Sequence, residues 1–162
     1  MRILGIDPAN ELSACCLLEI HNPNNINIIE KTKAPNLEIR DLILSSTYDM
    51  IALEGIQSFG MPVGKTTFET CYWVGRFIEL CYQKNIPYKI IYRKEVKLNL
   101  CNSHKAKDGN IRQTLIDRFA RHDFSNGKGK KNNQDVFYGV SADIWSATAL
   151  AVTYYDLYNK NE

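Results

Sequence analysis

The segment RILGIDPANELSACCLLE (residues 2–19) places a charged residue at the end of an apolar run. Ile3, Leu4 and Ile6 have the apolar character of a strand inside a sheet, and the run stops at Asp7. Burying an unpaired carboxylate is costly because the charge loses its hydration. A bound cation is one way to compensate that charge. Whether a cation binds here depends on which other acids of the chain lie near Asp7.

The length of 162 residues suits a single domain, because it buries one substantial core and is short for two. A hydrophobic content of 44% with 23% charged residues is typical of a globular chain. No apolar run reaches the roughly 20 residues that span a bilayer, and the N-terminus lacks the pattern of a secretory signal. We therefore expect one domain over residues 1–162, in the cytoplasm and without a membrane partner.

The cysteines are odd in number and include no CxxC pair, which indicates neither a disulfide framework nor a zinc site. We expect buried thiols in a reducing compartment. The five are Cys15, Cys16, Cys71, Cys81 and Cys101. A nucleophilic Cys101 near His104 is an alternative, although no further group assembles around this pair.

Positive charge is concentrated in the middle of the chain. From Lys89 to Lys131 there are twelve Lys or Arg against four Asp or Glu, whereas the segments on either side are net acidic. Such a block is either a solvated face or the electrostatic footprint of a polyanion such as nucleic acid.

Apolar runs and turn-forming segments predict the element order β-β-β-α-β-α-β-α-α. The runs at 2–6, 13–18 and 26–32 alternate with turn-rich segments and predict three antiparallel strands. The remaining predictions are a helix over 37–44, a strand over 50–53, a long helix to residue 84 capped by Thr66 or Thr67, a strand over 88–92, helices over 94–100 and 108–119, a polar surface loop over 121–134 and a final helix capped by Ser141. This order predicts an α/β fold with a mixed five-stranded sheet flanked by helices.

Three acids fall at the ends of predicted elements. Asp7 and Glu54 each end a strand, and Asp143 begins the last helix. Taken singly, they are explained as a turn residue, a surface charge and a favourable charge at a helix N-terminus. Taken together, they are oxygen ligands on separate elements, as a Mg²⁺ site requires. Two such ions roughly 4 Å apart promote hydrolysis of a phosphodiester.

Five segments, taken in order, resemble the RuvC family of Holliday junction resolvases, which has an RNase H-like fold. The segments are GIDPAN (5–10), ALEGIQSFG (52–60), KIIYRKEVK (89–97), KAKDGNIRQTLIDRF (105–119) and SADIWSATALAVTYYD (141–156). The resemblance implies a homodimeric endonuclease, dependent on Mg²⁺ or Mn²⁺ with two ions per site, that cuts two opposed strands of a four-way DNA junction.

The same resemblance places the metal-binding and catalytic carboxylates at Asp7, Glu54 and Asp143. The family usually carries a further acid three residues before the last one, where this chain has Val140. We take Asp135 as a further candidate ligand, with Ser141 or a water-mediated contact as competitors. A three-carboxylate site is also chemically workable because Mg²⁺ keeps several waters.

The basic block supplies candidate phosphate contacts, each of which has solvated lysine or arginine as its alternative. The candidates in this block are Lys89, Arg93, Lys94, Lys97, Lys105, Lys107, Arg112 and the GKGKK stretch (127–131), and Lys65 is a further candidate outside it. Phe59 and Met61, in a glycine-containing loop, either stack on unpaired bases or fold back on the core. The helix ending at Lys84 is apolar on more than one face, which predicts dimerisation through that helix.

The predicted function is therefore resolution of branched DNA by a nuclease. A general flap or replication-fork nuclease of the same fold is one alternative. A branched-DNA-binding protein without catalysis is another, and the absence of an acid at Val140 favours it.

Overall fold

The computed structural model of the chain describes residues 1–159. Its strands are β1 (Arg2–Asp7), β2 (Leu12–Asn22), β3 (Asn25–Pro35), β4 (Met50–Gly55), β5 (Tyr88–Tyr92), β6 (Gly129–Lys130) and β7 (Asn133–Gln134). Its helices are α1 (Asn36–Ser45), α2 (Lys65–Lys84), α3 (Arg93–Cys101), α4 (Asp108–Phe119) and α5 (Asp143–Tyr158). The predicted element order is confirmed as far as β5; three helices follow β5 where the predicted order has two, and the short β6–β7 hairpin lies within the predicted surface loop.

The five long strands form one mixed sheet in the order β3-β2-β1-β4-β5. The pairs β1–β2 and β2–β3 are antiparallel, whereas β4 runs parallel to β1 and β5 runs parallel to β4. The predicted α/β class with a mixed five-stranded sheet is confirmed. That the chain is a single domain stays a prediction.

Each face of the sheet carries its own apolar core because strand side chains alternate between the faces. Leu4 and Ile6 of β1 pack on the face covered by α1 and α2. Ile3 packs on the opposite face, with residues of α3, α4 and α5. The alternation therefore assigns Asp7 to the same face as Ile3, under α5.

Helix α5 lies unusually close to β1. A β-carbon at Gly5 would lie 1.9 Å from the carbonyl oxygen of Ala147, so only glycine permits this approach. Asp143 is one helical turn before Ala147, about 6 Å along the axis. Asp7 is two residues beyond Gly5, a similar distance along the strand. The close packing thus places both acids at one end of the sheet.

Two predicted helix caps are wrong. Helix α2 begins after Gly64 rather than at Thr66 or Thr67, and its N-cap makes no side-chain hydrogen bond. Helix α5 follows Ala142 rather than Ser141, again without a side-chain cap. Cap propensity is a local signal, and tertiary packing of the helices overrides it here.

The expectation of buried thiols holds for three cysteines and is wrong for Cys71, which is exposed on α2; Cys101 is half-buried. Cys101 Sγ lies 3.6 Å from Thr114 Oγ1, and no hydrogen bond joins it to His104 in the described chain. Within residues 1–159, no helix combines the length and the apolar character needed to cross a membrane.

Candidate functional site

Asp7 and Glu54 meet where the parallel strands β1 and β4 end. Ile6 pairs with Leu53 in the register, which sets the following acids side by side on the α5 face. Burial, and next the hydrogen bond and charge of Glu54, raise the pKa of Asp7 to about 8, and the charge of Asp143 adds to this. At neutral pH the Asp7 carboxyl therefore favours its protonated form, and a bound cation would displace that proton.

Asp143 completes the trio from the first turn of α5. The residue before it, Ala142, has φ 43°, a backbone conformation that residues with a β-carbon seldom adopt. Such conformations cost about 1 to 3 kcal/mol and persist only where the surrounding structure enforces them. The chain thus enters α5 under strain at the point where it presents the third acid.

Lys33 is bound to Asp143, and this contact was not predicted from the sequence. Its Nζ atom lies 2.5 Å from Asp143 Oδ2. Asp7 pairs with Ala14 across β1 and β2, and Ala14 pairs with Lys33 across β2 and β3. Directly opposed residues share a face, so Lys33 reaches over the small Ala14 toward the site. The hydrogen bond to Asp143 and the charge of that carboxylate raise the pKa of Lys33.

Arg93 is the second cation of the site. Its Nη1 lies 3.5 Å from Glu54 Oε1, and its Nη2 is paired with Asp108. It begins α3 directly after β5, the strand that pairs with β4. The sequence assigned Arg93 to DNA contact, and the structure brings it beside the predicted carboxylates.

The donor set suits a hard divalent cation, although the acids do not form a finished cage. No three His, Cys, Asp or Glu side chains within residues 1–159 are grouped closely enough to hold one ion. Instead, the Lys33 ammonium group is paired with Asp143, and the raised pKa of Asp7 favours its neutral form beside Glu54. Both arrangements reduce the negative charge of the cluster, as a metal ion held by Asp7, Glu54 and Asp143 would.

The structure gives Asp135 a different role from the predicted ligand role. Its carboxylate accepts hydrogen bonds from the backbone N–H groups of four residues, at 2.7 to 3.0 Å. Although burial opposes the effect, these amides hold the pKa of Asp135 well below its usual range. With its oxygens engaged in this way, Asp135 is a loop-organising residue, and we withdraw it as a ligand. Val140 is fully buried in the core beside α5.

Two of the three acids face a cleft of about 250 Å³ between α3, α4 and α5. Glu54 and Asp143 line this cleft together with Arg93, Arg112 and Trp145. Of the predicted phosphate contacts, Arg93 and Arg112 therefore lie at the site.

Other predicted DNA contacts lie outside that cleft. Lys105 lines a separate groove between α3 and α4. Lys65 is exposed and lies 3.5 Å from Glu69, which also accepts a hydrogen bond from Asn10 in the turn after β1. Lys97 is half-buried on α3, and Lys107 is exposed just before α4.

Phe59 and Met61 extend into solvent. They are 74% and 72% exposed in the loop between β4 and α2. The interpretation that they fold back on the core is wrong. Their role in stacking on bases stays a prediction.

Several solved structures have the same fold as this chain. Thermus thermophilus RuvC in complex with a Holliday junction substrate matches with a TM-score of 0.72 and 11% identity, over 95% of this chain and 92% of that one. The yeast mitochondrial Holliday junction resolvase matches with a TM-score of 0.64 and 11% identity, over 94% and 78% of the two chains. Fowlpox virus resolvase with its substrate Holliday junction DNA matches with a TM-score of 0.53 and 20% identity, over 99% and 100%.

These likenesses show that the chain has a RuvC-like fold of the RNase H-like α/β class. At such low identity they show the fold alone. No protein-family model and no curated protein sequence matches the chain.

Proposed function

We propose that the chain is a divalent-metal-dependent endonuclease that resolves four-way DNA junctions by paired cuts. The observation that carries the proposal is the convergence of Asp7, Glu54 and Asp143 at one end of a RuvC-like sheet. The structural neighbours include RuvC bound to a Holliday junction substrate, a fowlpox virus resolvase bound to Holliday junction DNA and a yeast mitochondrial Holliday junction resolvase. Arg93 and Arg112, which line the cleft together with the acids, provide positive charge for a polyanionic substrate.

Mg²⁺ or Mn²⁺ would be held by Asp7 with Asp143 and by Asp7 with Glu54. Two such ions, when bound, supply the charge that assists water in attacking the phosphodiester and stabilises the leaving oxygen. Asp7 must lose its proton to bind both ions, and its raised pKa means that this deprotonation costs free energy at neutral pH. Lys33 must leave Asp143, and its freed ammonium then lies within reach of substrate phosphates.

Arg93 and Arg112 are proposed to bind DNA phosphates in the cleft. Arg93 is held by Glu54 and Asp108 in the DNA-free chain, so its guanidinium is already oriented at the site. Lys65, Lys97, Lys105 and Lys107 are proposed as outer contacts that position DNA without reading its sequence. Affinity should fall steeply with salt because such binding releases counterions.

Phe59 and Met61 are proposed to stack at unpaired bases near the branch point. Their exposure supports this role, because two large apolar side chains that do not pack on the core are free to contact a partner. Phe59→Ala should slow cleavage of junctions more than it weakens binding to linear duplex. Equal losses on the two substrates would contradict the stacking role.

Helix α2 is proposed as the interface of a homodimer. One face of α2 packs on the sheet through Val74 and Phe77. Another face exposes Phe68, Tyr72 and Tyr82, each more than half accessible. A two-fold axis suits a junction that offers two equivalent strands. Light scattering should give a mass near twice 18.6 kDa; a monomer at micromolar concentration that still makes paired symmetric cuts would refute this.

A non-catalytic branched-DNA-binding protein is the second candidate. This candidate is favoured by Val140, a buried valine at the position where the RuvC family usually has an acid. It is also favoured because residues 1–159 contain no group of three side chains placed to hold one ion. A flap or fork nuclease of the same fold remains the alternative within enzymes. Location in the cytoplasm stays a prediction from the sequence.

Cleavage of a synthetic four-way junction in Mg²⁺ separates these functions. The proposal expects paired nicks in the junction and little cleavage of a flap, a fork or a duplex of equal length. Asp7→Asn and Asp143→Asn should abolish cleavage and retain binding, while Asp41→Asn, at an exposed acid of α1, should cleave normally. Binding without any cleavage would establish the second candidate, and retained nicking by either carboxylate variant would refute the site.

A further inference from the structure

The segment from Arg121 to Asp135, which we call the hairpin lobe, contains β6 and β7 and directs its positive charge outward. Lys130 and Lys131 are exposed, and Lys128 is half-buried. The two acids of the lobe are hydrogen-bonded to its backbone, and Asp123, which is half-exposed, also lines the groove beside Lys128. Asp123 accepts hydrogen bonds from the backbone N–H groups of residues 126, 128 and 129, at 2.9 to 3.2 Å, and Asp135 accepts those of four residues. Both carboxylates are thus hydrogen-bonded to the backbone of the lobe, while Lys130 and Lys131 are exposed and accessible to an external partner.

The hairpin lobe is also fixed to the core. Phe137, two residues after the lobe, is fully buried, with its ring centroid 4.8 Å from that of Trp145 on α5. Gly127 accepts a hydrogen bond from the Phe137 N–H at 2.8 Å. A β-carbon at Gly129, where φ is 66°, would lie 2.3 Å from the carbonyl oxygen of Asn133. These contacts hold the lysines of the lobe in a fixed position relative to α5.

The position of the hairpin lobe connects it to the candidate site. Lys128 lines a groove of about 370 Å³ between the lobe and α4. Three residues of that groove, Gly109, Arg112 and Trp145, also line the cleft that contains Glu54 and Asp143. One continuous surface therefore leads from the acids, past Arg112, to Lys128 of the lobe. Phe124, 62% exposed, offers a further apolar contact on the lobe.

We propose that the hairpin lobe is a clamp for the phosphate backbone of the double-stranded DNA arm next to the cleavage site. The proposal rests on the proposed function for its partner. Lysines supply charge without the planar hydrogen-bonding pattern that reads base edges, so the clamp is independent of sequence. A duplex arm fits better than single-stranded DNA because the lobe offers three lysines but only one exposed aromatic for stacking.

The test measures binding of the full chain to a four-way junction and to a linear duplex by fluorescence anisotropy. The main variant replaces Lys128, Lys130 and Lys131 by Gln, and Ca²⁺ replaces Mg²⁺ to prevent cutting. Salt is varied between about 50 and 200 mM, where each lost phosphate contact reduces the slope of log K against log salt by about 0.9. We expect the slope to fall by about 2 to 3 and the affinity for both DNAs to fall about 10- to 100-fold.

A pair of single variants controls for net charge and for misfolding. Lys130→Glu and Lys31→Glu change the charge equally, but Lys31 is exposed on β3 and lines neither the cleft nor the groove. We expect Lys130→Glu to weaken binding at least 5-fold more than Lys31→Glu. Equal effects of the two, or an unchanged salt slope in the triple variant, would overturn the clamp.

The outcome also separates the clamp from the proposed function. If the wild type fails to bind the junction, the proposed function fails and the clamp fails with it. If the wild type binds and cuts the junction while the triple variant binds with equal affinity and slope, only the clamp is refuted. Weakened binding to a single strand alone would refute the duplex assignment.

Discussion

Replacing Asp7 by Asn is predicted to stabilise the metal-free protein at alkaline pH. Burial, followed by the hydrogen bond and charge of Glu54, raises the pKa of Asp7 from 3.8 to about 8. The folded chain therefore binds a proton that the unfolded chain releases, and stability falls as pH rises through this window. Asn has nearly the same shape, carries no charge and can donate a hydrogen bond to Glu54. The variant should therefore not lose stability through Asp7 as the pH rises.

The magnitude follows from the difference between the two pKa values. About 4 pH units, at about 1.4 kcal/mol each, give an upper bound of about 6 kcal/mol. Asp7 is partly exposed and is hydrogen-bonded to Glu54. Solvent and rearrangement of this pair therefore reduce the free-energy cost of charging Asp7. We expect a gain of roughly 2 to 3 kcal/mol at pH 8.5 and almost none at pH 4.

Urea unfolding in EDTA at a series of pH values measures this effect. The wild type should lose stability between pH 4 and pH 8, whereas Asp7→Asn should change much less. Asp41→Asn, at an exposed acid of α1, is the control and should follow the wild type. A variant that parallels the wild type at every pH, or is less stable at pH 8.5, would refute the buried, proton-sharing pair.

Three further predictions concern packing and charge compensation. Lys33→Met should raise Mg²⁺ affinity about 10-fold in isothermal titration, since it removes the cation paired with Asp143. Lys31→Met, two residues earlier on β3, is the control, and equal affinities of the two variants would show that Lys33 does not compete with the metal ion. Asp135→Asn should lower the free energy of unfolding by about 2 to 4 kcal/mol, because buried N–H groups lose a charged acceptor; a loss under about 0.5 kcal/mol in urea would contradict it. Gly5→Ala should destabilise by about 3 kcal/mol or more, since its β-carbon meets the backbone of α5; an unchanged thermal midpoint would show that α5 shifts freely.

The sequence determines the strands, the helices and the ends at which acids lie. Apolar runs that stop at Asp7 and Glu54 are local signals, and parallel strands bring such ends to one edge. The element order and the five-stranded α/β sheet were predictable for this reason. Cap residues were not, since α2 and α5 begin at Gly64 and Ala142 without side-chain caps.

Only the tertiary structure decides which charges meet. Lys33 reaches Asp143 through the lateral register of three strands, a relation between residues 110 positions apart that no periodicity encodes. Asp135 is acidic and near the site in sequence, yet loop closure turns its carboxylate toward four backbone amides. A side chain's role depends on the partners that folding brings within about 3 Å, and these come from distant parts of the chain.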